Sequence, residues 1–373
     1  MNDNAMTSET TKKRAKDYQR KQLKLGLIEE ISTFLFLIVW VWIAPHLVAQ
    51  FSAWGRYSQL IMTAVIMYVS YQVALFVLDY LSGYRLEHEF DLSNETFGKW
   101  LWRHAKSMSL AGLMLGVMIV ALYSAIWYVP YWYVWCWAGW ILFTIVLAQV
   151  FPVVILPIFY KSTRLENESL LERLRKLSEG TGITVEGVYS LELSESTKKG
   201  NAMLAGLGRT RRVLLGDTLL GKLSEEQIEV VYAHELGHHV FRHFRKTLLL
   251  HALSSIAFFA LIYLVLSPYA GANPDHVTSA VERLPLMALV LSLFTFFWKP
   301  VIYAVSRYFE TQCDKYALSR TQAPEQFATA FEALAEQNLA DPAPPRWVVL
   351  LYYDHPPIHE RIALARQARP EAN

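Results

Sequence analysis

Six apolar runs, at about 27–49, 59–82, 108–129, 132–160, 247–269 and 285–306, alternate with polar stretches along the chain. Each is long enough to cross a bilayer core, which takes roughly 17–25 helical residues. The fourth is too long for one straight span, and Pro152 and Pro157 predict a kink or an interfacial end there. Between the fourth and fifth runs the periodicity becomes that of a soluble domain. Leu165 to Leu177 has helical spacing and is closed by Gly180 and Gly182. Ile183–Leu193 and Val213–Leu220 read as strands separated by the turn-rich stretch Gly206–Arg212. Ser224 followed three residues on by Gln227 is a capping-box signature and opens a second helix.

Composition agrees with a membrane chain. Of 373 residues, 53% are hydrophobic and only 18% charged, which argues against a water-soluble globular protein, and disorder is excluded by the same figures. A formal charge of +2 gives no basic footprint for nucleic acid. Two cysteines make no disulfide framework, Cys136 lies inside an apolar run, and neither is spaced like a zinc ligand. A polar stretch precedes the first apolar run, so no cleavable signal peptide is expected. Gly112 and Gly116 form a GxxxG, read as close helix packing within the chain.

Loop charges predict the orientation. Lys12, Lys13, Arg14, Lys16, Arg20, Lys21 and Lys24 precede the first span, and Arg85, Lys99, Arg103 and Lys106 follow the second. The opposite loops carry only Arg56 and Arg283, and the turn Val129-Pro130-Tyr131 carries no charge. The positive-inside rule therefore puts both termini and the segments 83–107, 161–246 and 307–373 in the cytoplasm.

The capped helix carries His234-Glu235-Leu236-Gly237-His238, an HExxH. Histidines at i and i+4 share a helix face and can reach one zinc ion, and the intervening glutamate can take a proton from a water that the metal activates. A chance HExxH is expected in about one to two chains per hundred of this length. A rival pair, His239 and His243, has Val240 in the base position, so His243 reads as a supporting or interfacial residue. Zinc needs a third ligand, and Glu310, just after the sixth run, is the best candidate. Asp314 stands one helical turn further on, spaced to accept the other ring N–H of a ligating histidine.

These residues carry a resemblance. The sequence is similar to the integral-membrane zinc metallopeptidases typified by type I CAAX prenyl proteases. Tyr84-Arg85-Leu86-Glu87-His88-Glu89-Phe90 with Leu92-Ser93-Asn94-Glu95-Thr96 resembles that family's first cytoplasmic loop. Asn201-Ala202, Val213–Leu220, the Glu310/Asp314 pair and His355-Pro356-Pro357 look like its other signatures, in the family's order. The resemblance implies His234, His238 and Glu310 as ligands of one zinc ion and Glu235 as general base. It also implies that Asn201 and Ala202 bind substrate backbone, that His355 and Arg361 stabilise the oxyanion, and that the site lies in an enclosed chamber. The chain departs from the family in having six spans against seven and Cys313 where alanine is usual. It also lacks a C-terminal retention signal.

The expected fold is mainly α: a polytopic membrane bundle of six to seven spans with a cytoplasmic, gluzincin-like zinc protease domain containing a small β-sheet. Four regions are expected: a membrane region 1–160, the HExxH segment 161–246, two spans in 247–306, and a segment 307–373 completing the site. The expected activity is a zinc metalloendopeptidase acting on membrane-associated or lipidated CAAX-type peptides, in a bacterial inner membrane with the site facing the cytoplasm. The alternatives are a quality-control protease with broad clients or, from another class, a non-catalytic polytopic protein or transporter. The transporter reading gives Glu235, Glu310 and Asp314 no reason to stand where they do.

Overall fold

The computed structural model describes residues 2–181, 188–206, 212–266 and 281–368. Among them, six helices are long and apolar enough to cross a membrane: Glu9–Gln50, Arg56–Glu89, Phe97–Tyr128, Trp132–Phe159, His243–Leu264 and Val281–Thr321. Trp42, Val73, Leu113 and Phe297 lie exposed on their outer faces. In a bilayer such side chains meet lipid, so exposure carries no penalty. Most of the loop read as the last exterior one lies outside the described residues, as do the N-terminal half of the first expected strand and the centre of the turn after Gly206.

The first span belongs to α1, Asn2–Gln50, and the second to α2, Arg56–Tyr80. A π-helical turn, Leu81–Arg85, carries α2 on into a last helical turn, Leu86–Glu89. The third is α3, Phe97–Tyr128. The fourth begins as α4, Trp132–Val150. Where a kink was expected, a π-helical turn over Phe151–Ile155 absorbs Pro152, and the helix resumes through Leu156–Phe159. A π turn accommodates the missing proline N–H without ending the helix. In the expected GxxxG, only Gly112 meets a neighbour: a Cβ there would come within 2.8 Å of the Tyr68 ring. That contact is between α2 and α3 of the same chain.

A small sheet follows. Its strands are β1 (Ser162–Arg164), β2 (Val188–Leu191), β3 (Ala202–Ala205) and β4 (Arg212–Gly216), in the order β1-β2-β4-β3. β2 and β4 are parallel and the outer pairs antiparallel, so β3 is an edge strand. The expected strand at Val213–Leu220 is half helix: Asp217–Leu220 forms a helical turn. Asp217 explains the switch, since its carboxylate accepts from the backbone N–H groups of Leu193, Ser194 and Thr218 and so ends the ladder. Two helices pack on the sheet: α5, Glu168–Ser178, capped by Asn167, and α6, Glu225–Val240. Leu170, Leu174, Val213, Leu215, Ile228 and Leu236 bury their side chains between them.

The chain then re-enters the membrane in α7, His243–Leu266, and leaves it in α8, Leu284–Thr321. At 1.5 Å per residue, the 38 residues of α8 span roughly 57 Å against a hydrocarbon core of about 30 Å. Its last third therefore projects beyond the bilayer. The boundaries expected at 246/247 and 306/307 fall inside α7 and α8, so membrane and soluble parts share helices. Three short helices complete the fold: α9 (Pro324–Gln337), α10 (Arg346–Tyr352) and α11 (Ile358–Gln367).

The first polar loop docks on the segment before β3. Asn94 N–H donates to Ser196 O (3.2 Å), Asn94 Nδ2 to Ser194 O (2.9 Å) and Lys198 N–H to Leu92 O (2.8 Å). His88 bridges Tyr84 O and Glu95 O, each at 2.8 Å. The start of α1 joins in, with Tyr18 donating to Glu87 (2.6 Å) and Lys199 Nζ donating to the same carboxylate (2.9 Å).

Candidate metal centre

The Ser224–Gln227 capping box is formed in both directions and starts α6 where expected. Nearly three turns later, one face of α6 carries His234 and His238. α8 crosses α6 closely because residue 237 is glycine: a Cβ there would lie 3.1 Å from Cys313 Sγ and 3.2 Å from Cys313 Cα. That crossing brings Glu310 up to both rings. Its Oε2 is 3.1 Å from His234 Nε2 and its Oε1 is 3.2 Å from His238 Nε2. Glu310 is 4% exposed.

The donor set fits a metal ion. Two imidazole nitrogens and one carboxylate lie within 4.8 Å of one another. Tetrahedral ligands at about 2.1 Å from an ion would stand about 3.4 Å apart, close to the separations found. Glu310 Oε2 is buried without any aligned hydrogen bond, which is costly unless a cation faces it. Burial works against a proton on His234, yet Asp314 and Glu310 outweigh it and its pKa is pushed up to about 9. The pocket is thus built to hold positive charge.

Behind His234, Asp314 Oδ1 lies 2.9 Å from Nδ1. Arg361, expected beside the reacting carbonyl, is turned to this rear side instead. Its Nε donates to Asp314 Oδ2 (2.9 Å), its guanidinium lies 3.7 Å over the Phe331 ring, and it is buried. An arginine tied this way holds Asp314 in place on the Nδ1 side of His234. His355 does reach the front: its Nε2 is 3.4 Å from Glu310 Oε2, and its Nδ1 is 2.7 Å from Asp354 Oδ1. Burial disfavours its imidazolium, but Asp354 and Glu310 more than offset this, so its pKa stands above the ordinary histidine range.

Asn201 is exposed and immediately precedes β3; its carbonyl accepts from Gly216 N–H (2.8 Å), which extends the ladder by one bond. Ala202 begins β3, opposite Leu215. The far end of the strand, at Ala205 and Gly206, lines a cavity of about 690 Å³ together with Glu235 and His238. The rest of that wall is largely apolar and comes from the spans, including Leu147, Phe151, Leu250, Val305 and Phe309. Cys313, whose spacing is not that of a zinc ligand, is buried with its Sγ 3.6 Å from His243 Nδ1. The sequence reading missed this proximity, because it follows from the α6–α8 crossing and not from spacing.

The profile of peptidase family M48 matches residues 164–369, the part that holds this whole centre. The chain belongs to peptidase family M48. A second profile, described as "CAAX prenyl protease N-terminal, five membrane helices", matches residues 3–161, where four long apolar helices stand among the described residues. The M48 chain is 28% identical over 298 residues to the "Uncharacterized metalloprotease YhfN" of Bacillus subtilis, covering 78% of this chain and 69% of that one. It is 26% identical over 307 residues to "CAAX prenyl protease 1" of Saccharomyces cerevisiae, covering 76% and 67%. The crystal structure of S. mikatae Ste24p shares its fold, with a TM-score of 0.81 at 22% identity over 95% of this chain and 88% of that one. This M48 member is an integral-membrane metalloprotease, mainly α with a small sheet, and it acts on peptide or protein substrates.

Proposed function

We propose that the chain is a zinc metalloendopeptidase that cleaves membrane-associated or lipidated, CAAX-type peptides, in a bacterial inner membrane with its site toward the cytoplasm. The observation that carries the substrate reading is the cavity of about 690 Å³, in which Glu235 and His238 share one space with apolar residues of the spans. A peptide carrying a lipid or an apolar segment buries that group there while its backbone reaches the polar end.

In this reading His234, His238 and Glu310 hold one zinc ion, which supplies Lewis acidity at the scissile carbonyl. Glu235 takes the proton from the attacking water and hands it to the leaving amine. His355, with Nδ1 on Asp354, presents its Nε2 proton to the carbonyl oxygen as negative charge gathers there. Asp314 orients His234, and Arg361 is assigned to holding Asp314, in place of the expected oxyanion contact. The edge strand β3, led by Asn201 and Ala202, accepts the substrate as an added strand, so main-chain hydrogen bonds supply much of the recognition. A broad-client role in membrane-protein quality control is the second reading, favoured by that backbone-based recognition.

One experiment separates these. Purified protein is given a farnesylated CAAX peptide and the same peptide unmodified, alongside Glu235→Gln. The variant is expected to keep its metal and lose about 10²–10⁴ in rate. Faster cleavage of the farnesylated peptide supports the lipid reading, and equal cleavage of both supports broad clients. Parental turnover in Glu235→Gln removes Glu235 as the base.

A further inference from the structure

The two histidines of the HExxH are supported unequally. Behind His234 stands a carboxylate, Asp314, fixed by Arg361. Behind His238 stands another imidazole: its Nδ1 lies 3.2 Å from Nδ1 of His243. His243 Nε2 lies 3.0 Å from Gln312 Oε1, and Gln312 Nε2 donates to the Tyr308 hydroxyl at 3.0 Å. The Gln312 oxygen can only accept, so the hydrogen of a neutral His243 sits on Nε2 and its Nδ1 carries a lone pair. His238 then donates from Nδ1, which leaves its Nε2 lone pair aimed at the side where Glu310 stands.

A break in the helix makes this contact. On an uninterrupted helix, His243 would sit about 140° around the axis from His238. Instead α6 ends at Val240, Arg242 adopts a left-handed conformation with φ 56°, and α7 starts at His243 on a new axis. The ring is then clamped flat on Phe309, centroids 4.1 Å apart and planes within 10°, and is 3% exposed.

We propose that His243 is the positioning residue for the ligand His238, fixing its tautomer and ring orientation through the chain His238–His243–Gln312–Tyr308. This rests on the metal-site reading above. It also decides against the other use of these atoms, since His238, His243 and Cys313 could together grip an ion of their own.

The test is zinc binding by full-length protein in detergent, measured by competition with a chromophoric chelator, together with the unfolding temperature of the metal-free form. His243→Phe keeps the stack on Phe309 and removes the acceptor. It is expected to weaken zinc binding about 10–100-fold, as loss of a group behind a metal ligand usually does, with metal-free unfolding unchanged. His243→Asn, whose Oδ1 can stand near the lost Nδ1, is expected to recover most of the affinity. Gln312→Leu, further from the metal, should show a smaller loss and keeps the test open if His243→Phe does not fold. Cys313→Ala should bind as the parent does. Parental affinity in His243→Phe and Gln312→Leu overturns the proposal. So does a parent that holds two zinc ions per chain and loses one in both His243→Phe and Cys313→Ala. If the parent binds no zinc, the metal-site reading fails and takes the proposal with it. If the parent binds zinc, and His238→Ala loses it while His243→Phe does not, the proposal alone fails.

Discussion

His355 illustrates how neighbours set the chemistry of a side chain. Burial disfavours its imidazolium, but Asp354, 2.7 Å from Nδ1, and Glu310 more than offset this and raise its pKa above the ordinary histidine range. A group that must be protonated to act loses its contribution as pH rises through its pKa. Asp354→Asn removes the carboxylate and lowers that pKa, so the alkaline limb of the kcat/KM profile is expected to move to lower pH with the acid limb unchanged. A profile that does not move would show that His355 titrates outside the mechanism. At this scale the sequence is informative for the side chains that converge on one point and less so for the groups behind them. Two histidines at i and i+4, and carboxylates a turn apart at Glu310 and Asp314, announce themselves by spacing. Arg361, expected at the reacting face of the metal site, lies behind His234, because its direction depends on how α11 packs against Phe331.

Among the elements, the crossing of α6 and α8 assembles the centre, and Gly237 permits it. Gly237→Ala would push a Cβ to 3.1–3.3 Å from the backbone and side chain of Cys313. Overpacking of this kind costs about 1–3 kcal/mol. Because the same crossing delivers Glu310, the variant is expected both to unfold at lower temperature and to bind metal more weakly. Normal metal affinity with lowered stability would show that the ligands tolerate a wider crossing. The sequence announces α6 through its capping box and the spans through their length. It cannot announce β1 and β3, which are three and four residues long and owe their existence to pairing partners. Nor can it announce the π turns at Leu81–Arg85 and Phe151–Ile155, since local composition does not distinguish an extra residue in a helix from a regular turn.

For the molecule as a whole, the six long apolar helices among the described residues and the clustered lysines and arginines predict one orientation, which labelling can test. In a background lacking Cys136 and Cys313, Glu195→Cys lies on the protease side and Ser52→Cys on the opposite loop, both at exposed positions. A membrane-impermeant thiol reagent on sealed cells is expected to label position 52 at once and position 195 only after permeabilisation. Labelling of position 195 in sealed cells would reverse the orientation. The four long helices in the region whose family profile is described with five make this count worth measuring directly.

The long helix α8 has one further consequence, for the lipid around the protein. Glu310 stands about 15 residues, or roughly 22 Å, beyond the middle of the apolar stretch on the same helix, with Pro300 between them. A bilayer that does not match the span tilts it, and a tilt of about 5° would carry Glu310 through about 2 Å, comparable to a metal–ligand bond. Bilayer thickness thereby becomes a variable of the active site. Reconstituted in phosphatidylcholines of increasing acyl length, the protease is expected to show a maximum in kcat at one thickness, with metal affinity highest there as well. A flat response would mean that the contacts of α8 with α6 hold Glu310 more firmly than the membrane can move it.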